Sequence, residues 1–516
     1  MEAKLVKGLS LKASVDVEKN RVIFVESDED FIDILLSFLT MPIGSIIRLL
    51  RHQPPVVGIG CMDNLYESVE NLDMQFFRTE ACKSMLLHPR NAAAAQCESL
   101  KLTIDDSEPL QYFRCASETC TTSKYKLLSH YRNANCGCGR LMSSKIDLTA
   151  EKNKQILFDA RNRGVFVKGL ARMIVSDELK IMPPLTATSF SLLSNLGFTD
   201  GSTIEERVFN IGVDEVLNLL RLSLVSRNPL TETLLKKPLE ELNDEGYNQG
   251  SLSYNFNYGS FTKSQVVEES SDKYKSIVAK LIVSKSRKMV CYAEVDGDFV
   301  DLLFSFLTLP LGHVTKEMKN HTSRGCINHL YNSVQDPDVE RFLKSDDHKA
   351  MLISPKVAPG FKLGNQPLGV EEYKHQQHFY YSYHIGYSYA AKLTCQETLL
   401  PSSESDSFRR TLLSVMDPKL HYMDNATSSG GFVIESAMFT VTDNLIITPI
   451  SPVSGLSVLS KLKVPFNDIE ERVVHVGKEE ASRLLVASFV TKSALTNAFI
   501  QKEPKRAYNG LNHVYC

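Results

Sequence analysis

Four cysteines in the first third of the chain have a spacing that suits a metal site. Cys115 and Cys120 form one close pair, and after 15 intervening residues Cys136 and Cys138 form a second pair within Cys-Gly-Cys-Gly. Two close pairs of thiolates can surround a single tetrahedral Zn²⁺ ion. The glycines beside the second pair let backbone N–H groups approach the sulfurs. The sequence therefore predicts a structural zinc site with Cys115, Cys120, Cys136 and Cys138 as ligands.

Two other interpretations of these cysteines stay open. Zinc ribbons usually have two residues between paired cysteines, whereas these pairs are separated by four residues and by one. The thiols could be unrelated, or they could form a redox site, in which a Cys-x-Cys disulfide would be strained and labile. His130 is a candidate substitute ligand. The second half of the chain has no second Cys-x-Cys pair, so we expect any metal to serve the first half alone.

Other residue types that could do chemistry occur without a complete catalytic motif. Phosphate-binding loops, dinucleotide fingerprints, nucleophile elbows, zinc-protease helices and kinase signatures are all missing from the sequence. Asp105 and Asp106 could act as an acid/base or metal pair, but their polar surroundings favour a solvated turn. Three histidines could bind a metal, although we expect them to lie in an exposed polar loop: His375, His378 and His384.

Two charged patterns recur in both halves of the chain. Arg48 and Arg51, matched by Lys316 and Lys319, could contact phosphate, but their spacing is also typical of an ordinary solvated helix face. Residues 205–207 and 470–472 both read Glu-Glu-Arg, for which ion pairs at the start of a strand are a sufficient explanation.

The elements that must position these residues come from a motif that occurs twice. Residues 30–44, DFIDILLSFLTMPIG, recur as residues 298–312, DFVDLLFSFLTLPLG. Pro42 should end the first helix near Thr40, and alternating apolar residues upstream predict a β-hairpin. Each copy should open with a hairpin, a helix, a Pro-Gly break and a second short helix. One helical face should carry the apolar residues spaced at i, i+3, i+4, i+7 and i+8: Phe31, Ile34, Leu35, Phe38 and Leu39.

Further matches extend the repeat over most of the chain, because residues 60–69 resemble 325–334 and residues 204–208 resemble 469–473. We predict a tandem duplication of the α+β class, with a hairpin-helix early unit and a mixed-sheet late unit in each repeat. In the first repeat, the early unit with the cysteines is predicted at 1–142 and the late unit at 160–240. A linker is predicted at 241–273. In the second repeat, the early unit, which lacks the cysteine cluster, is predicted at 274–400 and the late unit at 425–516. A second flexible stretch is expected at 401–407.

Composition restricts the class of protein. The 516 residues are 43% hydrophobic and 23% charged, with a net charge of −3, as in soluble globular proteins and unlike most nucleic-acid binders. No apolar run approaches the roughly 18 residues of a membrane span, and the N-terminus lacks the apolar core of a secretory signal. Eleven cysteines, an odd number, do not suggest a disulfide scaffold. We therefore expect a cytoplasmic or nuclear protein without a membrane partner.

Three motifs carry a family resemblance. The pattern Asp-Phe-[Ile/Val]-Asp…Ser-Phe-Leu-Thr-x-Pro-x-Gly is followed by Gly-Cys-x-x-x-Leu-Tyr-x-Ser-Val and then by Cys-Gly-Cys-Gly-x-Leu-Met. This resembles the plant family catalogued as domain of unknown function 674, over nearly the whole chain. The resemblance implies a plant protein with tandem copies and without an established activity. The second copy departs from the pattern by lacking the cysteines, which argues against a role that needs two equivalent sites.

These observations favour a non-enzymatic interaction or scaffold protein that has one structural zinc module and a protein partner. Two alternatives stay open. The first is an enzyme with an unrecognised polar site between the repeats. The second is a nucleic-acid-binding protein that uses the cysteine module and the face of Arg48 and Arg51.

Overall fold

The computed structural model describes residues 8–500 apart from 52–57, 106–109, 149–162, 170–171, 236–276, 319–324, 362, 364–365, 374–376, 386–387, 396–408 and 421–429. The predicted linker 241–273 and the predicted flexible stretch 401–407 lie outside the described residues. We call residues 8–235 the first half and residues 277–500 the second half.

The first half opens in the predicted order, which the structure confirms. A hairpin of β1 (Leu9–Asp16) and β2 (Arg21–Ser27) leads into α1 (Glu29–Ser37), and one 3₁₀ turn, Phe38–Thr40, ends before Pro42. The following helices are α2 (Ile43–Leu50), α3 (Met62–Asn71), α4 (Glu80–Leu87) and α5 (Ala94–Cys97).

Short strands then surround the cysteines: β3 (Tyr112–Arg114), β4 (Leu127–Leu128), β5 (Ala134–Asn135), β6 (Leu141–Met142) and β7 (Ser144–Ile146). The first half ends with β8 (Met173–Ser176), β9 (Ile181–Met182), α6 (Thr186–Asn195), β10 (Ile204–Ile211), α7 (Val213–Val225) and α8 (Pro229–Leu234).

The second half has a similar order of elements. It begins with β11 (Ile277–Ser284), β12 (Met289–Val295), α9 (Gly297–Ser305), a 3₁₀ turn, α10 (Leu311–Met318), α11 (Ile327–Val334), α12 (Pro337–Glu340) and α13 (Asp346–Ile353). It continues with β13 (His378–Ile385), β14 (Ser388–Thr394), β15 (Arg409–Val415), β16 (Phe439–Thr442), β17 (Ile447–Pro449), α14 (Pro452–Leu462), β18 (Ile469–Val476), α15 (Lys478–Val490) and α16 (Ala494–Phe499).

Two antiparallel five-stranded sheets have the same topology. Their strand orders are β10-β1-β2-β8-β9 and β17-β16-β12-β11-β18. In register, Leu9 pairs with Ile211 in the first sheet and Ile277 pairs with Val476 in the second. This is an α+β fold, as predicted. In each half, strands of the predicted early unit and strands of the predicted late unit pair within a single sheet.

Helix α1 is buried on every side. The predicted apolar face is inside, but Ile32 and Leu36 on the remaining sides are also 0% exposed, and Asp33 is 1% exposed. A single hydrophobic core that draws residues from both halves of the chain surrounds the helix. The apolar periodicity therefore located the helix but not its complete enclosure.

The two halves interlock through reciprocal contacts. At the Pro-Gly breaks, the Ile43 N–H donates to the Leu309 carbonyl at 3.0 Å, and the Leu311 N–H donates to the Met41 carbonyl at 2.8 Å. Between them, Pro42 and Pro310 form an antiparallel bridge. Each half thus supplies to the other the same backbone contact that it receives.

Helices α3 and α11 begin against the opposite half. The Cys61 N–H donates to the Ser488 carbonyl at 2.7 Å, and the Cys326 N–H donates to the Ser223 carbonyl at 2.9 Å. A Cβ atom at Gly325 would lie only 2.2 Å from the Ser223 carbonyl oxygen, so glycine is needed where the backbones approach this closely. Within the described ranges, every helix is too short or too polar to cross a bilayer.

Candidate metal centre

Short strands and turns hold the four predicted cysteine ligands. Cys115 directly follows β3, and Cys120 begins one π-helical turn, Cys120–Lys124. The other two cysteines lie in the loop between β5 and β6, which pair as a hairpin. We call residues 112–148 the cysteine module.

The structure brings the four sulfur atoms together. All four lie within 4.8 Å of one another, and the sulfurs of Cys115 and Cys138 are 3.7 Å apart. In a tetrahedral site with Zn–S bonds of about 2.3 Å, the sulfurs are about 3.8 Å apart. Among the described residues, this is the one close group of three or more possible metal ligands. These cysteines could therefore hold a metal ion with small adjustments.

His130 does not belong to this group. Its imidazole packs against the rings of Tyr112 and His378, with centroids 5.4 Å and 6.0 Å away. The geometry thus favours four sulfur ligands over a set in which His130 replaces one of them.

Backbone N–H groups point at three of the four sulfurs. The N–H of Ser117 donates to Cys115, that of Cys138 donates to Cys136, and that of Arg140 donates to Cys138. In each case the donor is two residues beyond the cysteine. Such bonds fix the orientation of a ligand and stabilise a thiolate.

The second pair sits in a tight turn that requires its glycines. The Gly139 N–H donates to the Cys136 carbonyl at 2.8 Å, and Gly139 has a φ of 83°, which favours glycine. A Cβ atom at Gly137 would lie 2.4 Å from the ring of Tyr125.

The thiols of Cys115, Cys136 and Cys138 differ in their acidity. Burial raises the pKa of Cys115 and of Cys136. Burial also opposes ionisation of Cys138, but the Arg140 N–H and the neighbouring thiols outweigh it and lower the pKa of Cys138 to about 7. Cys138 is also the one ligand candidate that is partly exposed. The lowered pKa favours the thiolate of Cys138 near neutral pH, and a bound cation would favour the thiolates of Cys115 and Cys136.

The cysteines are enclosed by an apolar cluster that includes Phe113, Ala134, Met142 and Met416. Met416 comes from the second half of the chain, which the sequence did not associate with the cysteines. An apolar shell of this kind excludes water and strengthens the attraction between a metal and its thiolates.

Strand pairing joins the cysteine module to the second half. Strand β4 lies parallel to β15 at the edge of a four-stranded sheet with the order β14-β13-β15-β4. The Tyr380 hydroxyl donates to the Glu118 carboxylate at 2.8 Å and 2.9 Å, and the Thr411 hydroxyl donates to the Thr122 carbonyl at 3.2 Å. The module therefore completes a sheet that belongs to the other half.

The prediction of an exposed histidine loop is wrong for His378. This residue begins β13 and is 4% exposed, because its ring packs on Tyr112 of the cysteine module, with centroids 5.2 Å apart. The backbone of His384 also lies in β13, and His375 lies outside the described residues.

Three of the recurring cationic residues form ion pairs, and a fourth, Lys316, donates to the Ser354 hydroxyl at 2.8 Å. Arg51 contacts Glu70 at 2.6 Å and lies over the ring of Tyr66, 4.9 Å from its centroid, so its guanidinium is engaged within the chain. The Glu-Glu-Arg segments also form pairs, Arg207 with Glu205 and Arg472 with Glu470. Lys319 and Asp106 lie outside the described residues, and Asp105 is partly buried.

A buried ion pair was not predicted from the sequence. Lys419 bonds both carboxylate oxygens of Asp417, at 2.9 Å and 3.1 Å, and lies over the ring of Phe432. The side chains of Lys419 and Asp417 are 2% and 0% exposed. The Lys419 ammonium also donates to the Phe361 carbonyl, so the pair links the segment that follows β15 to residues of the core.

Two buried carboxyl groups were also missed. Asp33 on α1 accepts hydrogen bonds from the N–H groups of Val165, Phe166 and Val167. Asp301 on α9 accepts from Phe432 and Val433 at 2.7 Å and 3.0 Å. Burial raises the pKa of Asp33 to about 6 and that of Asp301 to about 7, although these N–H bonds act in the opposite direction. The equivalent roles in both halves show that these carboxyl groups anchor a later segment to a core helix.

The raised pKa values predict a pH dependence of stability. Above about pH 4, Asp33 and Asp301 ionise in the unfolded state, but in the folded state they stay protonated up to about pH 6 and about pH 7, respectively. Their contribution to the free energy of unfolding is therefore complete below about pH 4 and is lost as the pH rises through about 6 and 7. Between about pH 4 and about pH 8, the free energy of unfolding should therefore fall less in the double variant Asp33→Asn/Asp301→Asn than in the wild type. Urea denaturation at several pH values measures this. Asp214→Asn, on an exposed helix turn, is the control, and equal slopes in all three proteins would contradict the prediction.

Comparison with known proteins identifies a family but not an activity. A family model described as "Protein of unknown function (DUF674)" matches residues 6–479. No curated protein matches the chain, and no solved structure matches it.

Proposed function

The chain belongs to the DUF674 family, and since that family's function is unknown, we propose from this chain's own geometry that it is a zinc-binding interaction protein without catalytic activity. One Zn²⁺ ion, held by Cys115, Cys120, Cys136 and Cys138, stabilises the cysteine module. The module in turn fastens the first half of the chain to the β13–β15 sheet of the second half.

The observation that carries this proposal is the group of four sulfurs within 4.8 Å of one another. A tetrahedral set of four thiolates is typical of zinc or of an iron–sulfur cluster. Zinc is favoured over a cluster because the sulfurs are too close together to surround several iron atoms, and the 3.7 Å separation of Cys115 and Cys138 fits one tetrahedral ion. Four protein ligands leave no open coordination position, so the ion acts structurally.

A non-catalytic role is also supported by the junction between the halves, which is a packed core. Leu39, Met41, Leu309 and Leu311 at this junction are each at most 1% exposed. A protein partner is supported by large apolar side chains that are exposed on α14 and in the turn that follows it. Val453, Leu456 and Phe466 are all more than half exposed. Val453 and Leu456 are neighbours on one face of α14, and adjacent exposed apolar side chains commonly mark contact with other molecules.

Elemental analysis of the purified full-length protein tests the metal assignment. We expect about one zinc and no iron per chain, and loss of zinc in the double variant Cys136→Ser/Cys138→Ser. Cys395→Ser, at a partly exposed cysteine outside the module, should keep its zinc. Metal-free protein after purification under reducing conditions, with Cys136 and Cys138 reactive toward thiol reagents, would overturn the proposal.

A further inference from the structure

A cleft of about 410 Å³ lies where the cysteine module meets the second half of the chain. One wall is formed by β7 and the residues that follow it, and the other by β14. The two walls are joined by a parallel bridge between Leu148 and Leu393 and by a 3.3 Å hydrogen bond from the Leu393 N–H to the Asp147 carbonyl. The cleft is therefore a fixed feature of the seam between the halves.

Cationic residues dominate the charged lining of this cleft. Arg114, Lys145 and Lys392 line it, together with a single carboxylate, Asp147. This is a local excess of positive charge in a chain whose net charge is −3. Anions are attracted to such a cleft, because low-dielectric walls concentrate the field of the cations.

The two lysines of the cleft differ from many other surface cations of this protein. Lys12 pairs with Glu206 at 2.9 Å and Lys280 pairs with Glu471 at 3.0 Å, whereas neither Lys145 nor Lys392 forms an ion pair within the described part of the chain. Both are exposed. Their ammonium groups are therefore available to a ligand.

Arg114 is held in place at the same cleft. Its guanidinium lies over the ring of Tyr380, 5.5 Å from the centroid, and contacts the Glu118 carboxylate at 3.4 Å. A guanidinium fixed in this way has lost much of its rotational freedom before a ligand arrives, which favours recognition of a planar face of oxygens.

We propose that this cleft binds a small organic phosphate monoester that carries hydroxyl groups. The dianionic phosphate is bound by Lys145 and Lys392 with the assistance of Arg114, because guanidinium and ammonium groups form strong charge-assisted bonds to phosphate oxygens. The Asp147 carboxylate accepts a hydrogen bond from a ligand hydroxyl and disfavours more highly charged anions. The volume lies within the usual range for small-molecule sites.

Isothermal titration calorimetry of the full-length protein with glycerol 3-phosphate, and with inorganic phosphate as the simpler anion, tests the proposal. We expect saturable binding of glycerol 3-phosphate that weakens at least about tenfold in Lys145→Ala/Lys392→Ala, since two charge-assisted bonds are removed. Lys461→Ala/Lys478→Ala removes the same charge from exposed positions elsewhere and should bind like the wild type. Unchanged melting temperatures without ligand would show that both variants are folded.

The same phosphate monoester occurs free in solution and as the headgroup of phosphatidic acid. Sedimentation with phosphatidylcholine vesicles, with and without phosphatidic acid, distinguishes these sources. Binding that requires phosphatidic acid and is lost in Lys145→Ala/Lys392→Ala would support the site and assign the ligand to a lipid surface. The proposal would be overturned if the wild type bound neither glycerol 3-phosphate nor the vesicles with phosphatidic acid. It would also be overturned if Lys145→Ala/Lys392→Ala bound as tightly as Lys461→Ala/Lys478→Ala. Zinc content should be the same in all of these proteins, so failure of this site and failure of the metal site are distinguishable.

Discussion

In the double variant Cys136→Ser/Cys138→Ser, we expect the entire cysteine module to unfold while the two large sheets stay folded. The module contains only short strands, of two or three residues each, and one small apolar cluster surrounds its thiols. Binding of structural zinc to small domains contributes on the order of 10 kcal/mol. Loss of half of the ligands removes most of that contribution, and the remaining apolar contacts are too few to replace it.

Hydrogen exchange measured by mass spectrometry checks this expectation. Amide protection should fall sharply over residues 112–148 and also over β15, because β15 loses its pairing with β4 and its contact at Thr411. Protection of β1 and β11 should change little. Cys395→Ser, which leaves the four ligands intact, is the matched control. Equal protection of the module in the double variant and the wild type would show that the metal is dispensable for its fold.

Separation of the two halves is expected to have the second large effect. A chain of residues 1–240 should not fold as a stable monomer, because it would expose the core residues at the Pro-Gly breaks and the ends of α3 and α7. Met41 and Leu39 are at most 1% exposed in the intact chain, and exposure of each such side chain costs about 2 kcal/mol. Several such losses exceed the typical net stability of a domain.

Light scattering coupled to size exclusion, together with circular dichroism, measures this outcome. We expect residues 1–240 alone to be unfolded or self-associated. Co-expression with residues 274–516 should restore folding in a one-to-one complex. Cleavage of the intact protein at a protease site inserted in residues 241–273 should leave the two fragments associated. A monomeric fragment with cooperative unfolding would contradict the role that we assign to the reciprocal contacts.

Local sequence patterns located the opening elements of each half and the group of four cysteines. Alternating apolar residues located the β1–β2 hairpin, and Pro42 located the end of the first helical segment. The cysteine pairs were recognisable because their ligand chemistry depends on residue type and spacing, and because the adjacent turn needs glycine at Gly137 and Gly139.

Contacts between distant segments had no comparable signal. Asp33 binds N–H groups up to 134 residues away, and periodicity within α1 only marks it as a polar interruption. The pairing of β4 with β15 joins strands of the two halves through a two-residue register, which is too short to show an alternating pattern. His378 lies in a polar stretch of sequence, yet tertiary packing against Tyr112 buries it.

The reciprocal contacts also have a consequence in time. The Cys61 thiol donates to the Thr491 carbonyl, 430 residues later in the chain. A ribosome that adds roughly 5 to 20 residues per second needs tens of seconds to synthesise that interval. Throughout this period, apolar residues of the first half that will pack against the second half are exposed as soon as they are synthesised. The nascent chain is therefore a natural client for chaperones that shield apolar surface until nearly the last helix has emerged.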